Sequence, residues 1–245
     1  GQPPTQEAPG ELSDTVLALI DTTPLRDADD SLLIYAAMGR AVRADAWSGA
    51  SAYKSVDGGA SYDGLYSVTD SATMGVAVNA LEDWTGGNAW DDDSHLTVLL
   101  SSGTLSSATD LGVLNGMNAL AVRSGTDWEI VQFANAELTS TNTWTLTRLL
   151  RGRLGTERAI PGHVAGDVVV LLSATALQTV AYPVAEIGVE RDYLAVTAGQ
   201  AIGDGVEQTV TMAGNSLKPL SPVHIAGARD AGDLTITWIR RARIN

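Results

Sequence analysis

Along residues 41–172 hydrophobic positions come in short runs broken by Gly, Asn, Asp and Ser, the pattern of antiparallel strands joined by tight turns. The clearest hairpin arms are residues 128–138 and 143–150, joined by the polar loop 139–142. In the second arm Trp144, Leu146 and Arg148 alternate with Thr145, Thr147 and Leu149, which predicts a strand with one face inside. Residues 168–172 are uninterrupted apolar text and predict a central strand. The run 32–38, which follows the acidic turn of Asp27, Asp29 and Asp30 and ends at Gly39, predicts a second buried strand. Helix is expected to be sparse, with short pieces at 110–115, where Asp110 would cap, and at 173–180.

These elements divide the chain into four expected parts. Residues 1–17, with Pro3, Pro4 and Pro9, form an extended lead-in, and residues 18–182 form the main β domain. Residues 183–218 make a small β appendage, with strands at 193–197 and 209–212 across the Gly-rich turn 199–205. A Pro-marked junction opens residues 219–245, followed by a strand, a turn and a second strand with Trp238 inside, which is how a fibronectin type III-like module begins. The fold class is therefore mainly β: an antiparallel β-sandwich or barrel, a small appendage and the first strands of an incomplete module. The start without Met and the stop just after a strand-like run suggest a piece of a longer polypeptide.

At 245 residues the chain is long enough to bury a substantial core. It has no Cys, which excludes disulfides, thiol nucleophiles and thiolate metal sites. Its formal net charge of -14 has the wrong sign for binding phosphate backbones, so no nucleic-acid partner is expected. No apolar run reaches the roughly 20 residues of a membrane-spanning helix, so no membrane insertion is expected. Of the 15 basic residues 13 are Arg, and seven of these fall in two runs: Arg148, Arg151, Arg153 and Arg158, then Arg240, Arg241 and Arg243. In so acidic a chain such runs are expected to meet carboxylates within the fold or on a neighbour.

Chemistry-bearing motifs are few. Ser55, Asp57, Gly59 and Ser61, followed by Tyr62, fit the Asp-box pattern, in which side chains bond backbone amides and Gly supplies a positive φ; one copy predicts a stabilised hairpin turn. Asp91, Asp92 and Asp93 lack the spacing of a calcium loop and read, like Asp27, Asp29 and Asp30, as solvated acidic turns. His95, His163 and His224 are too scattered for a metal site, and no nucleophile elbow, phosphate loop or dinucleotide fingerprint occurs. No metal, cofactor or catalytic residue is expected, and no enzymatic activity. Trp128, Trp144 and Trp238 lie in alternating strands and read as core, whereas Trp47, Trp84 and Trp90 flank turns and are the candidates for stacking on a glycan.

The most specific text is LLRGRLGTE, residues 149–157, at the end of the second hairpin arm, followed by Pro161, Gly162, His163 and the strand GDVVVLL. With ALIDTTPLRDADDSLLIYAAMG (18–39), the DGG hairpin near Ser55, LNGMNALAV (114–122) and SPVHIAGARDAGDLTITWIRRARI (221–244), it resembles the C-terminal region of the large tail-tip, or baseplate hub, proteins of gene transfer agents and long-tailed bacteriophages. That resemblance implies a structural virion component at the distal end of a tail, which positions host-contacting parts. Its implied partners are other tail-tip proteins and copies of itself in a homotrimer. The structural loop would comprise Arg151, Gly152, Arg153, Gly155 and Glu157, with the arginines held by acidic or carbonyl partners; Arg240, Arg241 and Arg243 would mark the joint to the next module. Two alternatives are carried: a carbohydrate-binding module for host-surface glycan, resting on Trp47, Trp84 and Trp90, and a glycan depolymerase, which would need paired carboxylates across a cleft.

Overall fold

A computed structural model of the chain describes residues 11–26 and 28–241. Most of the expected lead-in, together with Asp27 and Arg243, lies outside the described residues. The strands in chain order are β1 (Thr15–Ile20), β2 (Leu33–Arg40), β3 (Ala50–Ser55), β4 (Asp63–Val68), β5 (Met74–Ala77) and β6 (Leu96–Ser102). A five-residue helix, α1 (Asp110–Leu114), precedes β7 (Ala119–Ser124), β8 (Asp127–Ser140), β9 (Thr143–Leu150) and β10 (Val168–Leu171). The chain continues through β11 (Gln178–Ala181), β12 (Glu190–Thr197), β13 (Val206–Thr211), β14 (Val223–Asp230) and β15 (Asp233–Ile239).

Mainly β structure is arranged as a barrel and two sheets stacked in layers. β5, β6, β9, β8, β7 and β10 close into a six-stranded barrel, with β10 pairing both β5 and β7 antiparallel. Leu96, Val98, Leu120, Val122, Val131, Phe133, Leu146, Leu149 and Val169 fill its interior. The alternate residues Ala121, Ile130 and Val170 face outward, yet they are buried as well, against Ala18, Ile20, Leu33, Tyr35 and Ala37 of β1 and β2. The sheet β1–β2–β11 is thus a middle layer. Its other face, with Leu17, Leu19, Ile34, Ala36 and Met38, packs on Ala52, Tyr193 and Ala195 of the sheet β13–β12–β3–β4 and on Trp47, which precedes β3. Burial on both faces, along residues 33–39 of β2 and at Val169 and Val170 in the middle of β10, explains why these strands read as continuous apolar runs.

Several expectations need correction. The 183–218 appendage is not separate: β12 pairs with β3 along residues 50–55, so the DGG hairpin and the appendage form one sheet. Structure begins before residue 18, because β1 starts at Thr15 and Leu12 bridges Ala46. The predicted helix at 173–180 is a turn followed by β11, whose edge pairing to β2 overrides local propensity. At α1 the cap is Thr109, whose Oγ1 accepts from the Gly112 amide at 3.1 Å, and Asp110 is the first helical residue. In β9 the alternation fails at Arg148, which has φ +56°. That left-handed residue turns Leu149 into the barrel beside Leu146, three positions away, and leaves the Arg148 side chain outside. Trp238 is not core: β14 and β15 form an isolated hairpin on which Trp238 is 59% exposed.

Candidate functional site at the arginine loop

β8 runs through the barrel wall as Trp128, Glu129, Ile130, Val131. Trp128 and Ile130 face the middle sheet, so Glu129 shares the inward face with Val131. A carboxylate there is fully buried and needs compensation. Arg151, directly after β9, supplies it: Nε donates to Glu129 Oε1 at 2.8 Å and Nη2 to Oε2 at 2.9 Å. The Gly152 amide adds a bond to Oε1 at 2.7 Å, which the left-handed Gly152 (φ +56°) makes available. The third Arg151 nitrogen, Nη1, reaches the Glu82 carbonyl at 2.8 Å and Asp91 Oδ2 at 3.3 Å. Asp91 is brought there by a two-bond bridge to Leu149, and its Oδ1 accepts from the Ser94 amide.

His163 completes the cluster from the loop before β10. Its Nε2 lies 2.7 Å from Glu129 Oε2, and its Nδ1 lies 3.0 Å from the Arg123 carbonyl and 3.5 Å from Asp167 Oδ2. The side chains of Arg151, Glu129 and Asp91 are wholly inaccessible to solvent. Burial alone would push the Glu129 carboxyl up, but hydrogen bonds from His163 and Arg151, the Arg151 charge and the Gly152 amide outweigh it and hold it below its ordinary value. With a guanidinium seated on two buried carboxylates, the chemistry of the cluster is that of a rivet at one end of the barrel.

The rest of the loop joins this rivet to its neighbours. Arg153 Nε donates to Gln132 Oε1 at 2.9 Å, and Thr156 Oγ1 accepts from the Ile130 amide at 2.9 Å. The Leu154 carbonyl accepts from Thr23 Oγ1 at 2.7 Å, and Gly155 (φ +86°) lies so near Leu220 that a Cβ would come within 2.2 Å of its Cδ2. Arg241 Nη1 donates to Glu157 Oε1 at 2.6 Å, and its Nε to the Ser221 carbonyl at 2.8 Å. Three segments far apart in sequence, 18–39, 149–157 and 221–241, therefore meet at one place. Among the described residues Arg240 has no ion pair.

The acidic turns are solvated in part: Asp30, Asp92 and Asp93 are exposed as expected, whereas Asp29 and Asp91 are buried. Asp91 is fully buried, and Asp92 pairs with Arg148, whose guanidinium also binds Asp110 and lies 4.5 Å above the Trp90 ring. Asp29 is buried and accepts two bonds from Arg26 and one from the Tyr35 hydroxyl at 2.7 Å. Burial would raise its carboxyl, and these donors pull it below the usual range. At the DGG turn Ser55 Oγ donates to Asp57 Oδ1 and accepts from the Gly59 amide, and Ser61 gives Asp57 both its amide and its hydroxyl. The Ser61 and Ser55 hydroxyls, with the Ser61 amide, hold Asp57 down to about 2.

Of the three tryptophans expected at the surface, Trp47 is core, with its Nε1 donating to Thr15 Oγ1 at 2.9 Å. Trp90 is covered by Arg148. Trp84 is half-buried, its Nε1 bonded to the Gly87 carbonyl, and it lines a recess of about 520 Å³ beside Asp83, Asn88 and Arg241. Sequence reasoning overlooked Glu129 and Gln132 and took Asp91 for a solvated acid. The available signal was Glu129 itself, a lone acid inside the apolar text WEIVQF.

Residues 72–170, somewhat less than half of the chain, match the model of the family described as Rcc01698-like, C-terminal. No curated protein matches the chain. Rcc01698 is a gene transfer agent-associated protein of Rhodobacter, and over its barrel strands this chain is similar to that protein's C-terminal family.

Proposed function

We propose that the chain is a structural part of the tail tip of a gene transfer agent or long-tailed phage, in the baseplate-hub region, where it holds host-contacting parts in position. The observation that carries this reading is the match over residues 72–170, which coincides with the closed barrel and takes in both Glu129 and Arg151. The geometry supports it: a closed barrel exposes no free strand edge, and a buried, multiply bonded arginine fixes the loop to which the neighbouring segments attach. Such a part works by rigidity. Its partners would be other tail-tip proteins and copies of itself around a threefold axis, with no catalytic step. Cross-linking of purified particles followed by mass spectrometry tests this: links to tail proteins and between copies are expected, and a chain that separates from the particles on a density gradient contradicts it.

A second reading, recognition of a host-surface glycan, is favoured by the recess beside Trp84, where a half-exposed ring meets Asp83, Asn88 and Arg241. Binding of host polysaccharide that is lost in Trp84→Ala would support it. Absence of binding by the unaltered chain would remove it.

A further inference from the structure

A different recess, of about 450 Å³, opens where the middle sheet, the barrel and the turn after Arg151 come together. Its volume falls within the roughly 300–1,000 Å³ of small-molecule sites. Leu25, Leu114, Leu154, Leu172 and Leu177 give it apolar walls. Two of these are left to water at the rim, Leu114 at 56% and Leu154 at 46% exposure. Leu154 also has φ +56°, a conformation that a leucine adopts only under constraint, here the bond from Thr23 to its carbonyl.

One wall carries a charge. Arg153 is oriented by its Nε bond to Gln132, and Gln132 is buried and fixed in turn by bonds from its Nε2 to the carbonyls of Val113 and Met117 at 2.7 and 3.0 Å. Unlike Arg148, Arg151, Arg158 and Arg241, Arg153 meets no carboxylate among the described residues. The other guanidinium at this recess, Arg26, is already engaged by Asp29 through two bonds. A positioned guanidinium with free N–H groups beside leucine walls selects an anion on an apolar body. An apolar ligand would strip water from Arg153 without replacing its hydrogen bonds, and a neutral acceptor would replace them with weaker ones than a carboxylate makes.

We propose that this recess binds a small amphiphile, a carboxylate carried on an aliphatic body, with the carboxylate on Arg153 and the chain against the leucines. The test is calorimetric titration of the intact chain with decanoate and with decanol, which share the alkyl body and differ in charge. Decanoate is expected to show saturable binding about tenfold or more tighter than decanol, the range of a charge-assisted hydrogen bond. Arg153→Gln should bring decanoate to the level of decanol. Leu114→Glu, whose side chain stands on the exposed rim, should weaken decanoate more than decanol and serves where the first variant is unstable. Equal affinities in the unaltered chain, no saturable binding of decanoate, or a preference unchanged by Leu114→Glu would each overturn the proposal.

Discussion

Arg151 turns a liability inside the barrel, the Glu129 carboxylate, into a tie between β8, the end of β9 and the Asp91 loop. Replacing it leaves two buried carboxylates without their charge partner, so Arg151→Ala should lower unfolding free energy by roughly 3–5 kcal/mol, measured by chemical denaturation. Arg151→Lys should recover only part of this, because an ammonium cannot span both Glu129 oxygens. Acid should act on the same spot. With the folded-state value of Glu129 held below its ordinary 4.5, its ionised form stabilises the fold above about pH 4.5, and this contribution fades as pH falls through the lowered value. Asp29 acts in the same sense. A denaturation midpoint that is flat above pH 5 and drops below about pH 4.5 is therefore expected, with a shallower drop in Glu129→Gln. A midpoint insensitive to acid would show that the cluster does not hold Glu129 ionised. The sequence disclosed one partner of this rivet and hid the others. Arg151 stood in a dense local motif, whereas Asp91 lies 60 residues before it and looked like solvent-facing acid.

Strand text was legible wherever one residue type dominated a face, and it misled where backbone geometry intervened. The hairpin β8–β9 lies close to its expected span because alternation and the polar turn agree. Arg148 broke the pattern through a positive φ that no periodicity announces, and Trp47 passed for a surface residue because its burial comes from β1 and β12, far away in sequence. The double-sided burial of β2 and the pairing of β12 with β3 likewise depend on contacts between distant segments. Glycine has a defined task at Gly155, whose positive φ and contact with Leu220 leave no room for a side chain. Gly155→Ala is expected to destabilise the chain by about 1–3 kcal/mol and to increase proteolysis near residue 220. Unchanged stability would mean that the junction packs more loosely than this contact requires.

Across the whole molecule, a closed barrel, a middle sheet buried on both faces and an outer sheet form a stack, and the arginine loop links it to the β14–β15 hairpin through Arg241 and Glu157. Weakening that link with Glu157→Gln should leave the barrel intact and make the hairpin more susceptible to protease, since a partly exposed ion pair contributes only about 0–1 kcal/mol. Equal protease sensitivity in both forms would assign the hairpin's position to other contacts. A stack of this kind suits a part that keeps its shape under load, as the proposed place in a tail tip would require. The most direct test is immunogold labelling of intact particles from the source culture with antibody to this chain. Gold confined to one end of the tail is the expected result; gold on cells or secreted material, with the particles bare, would contradict the tail-tip assignment.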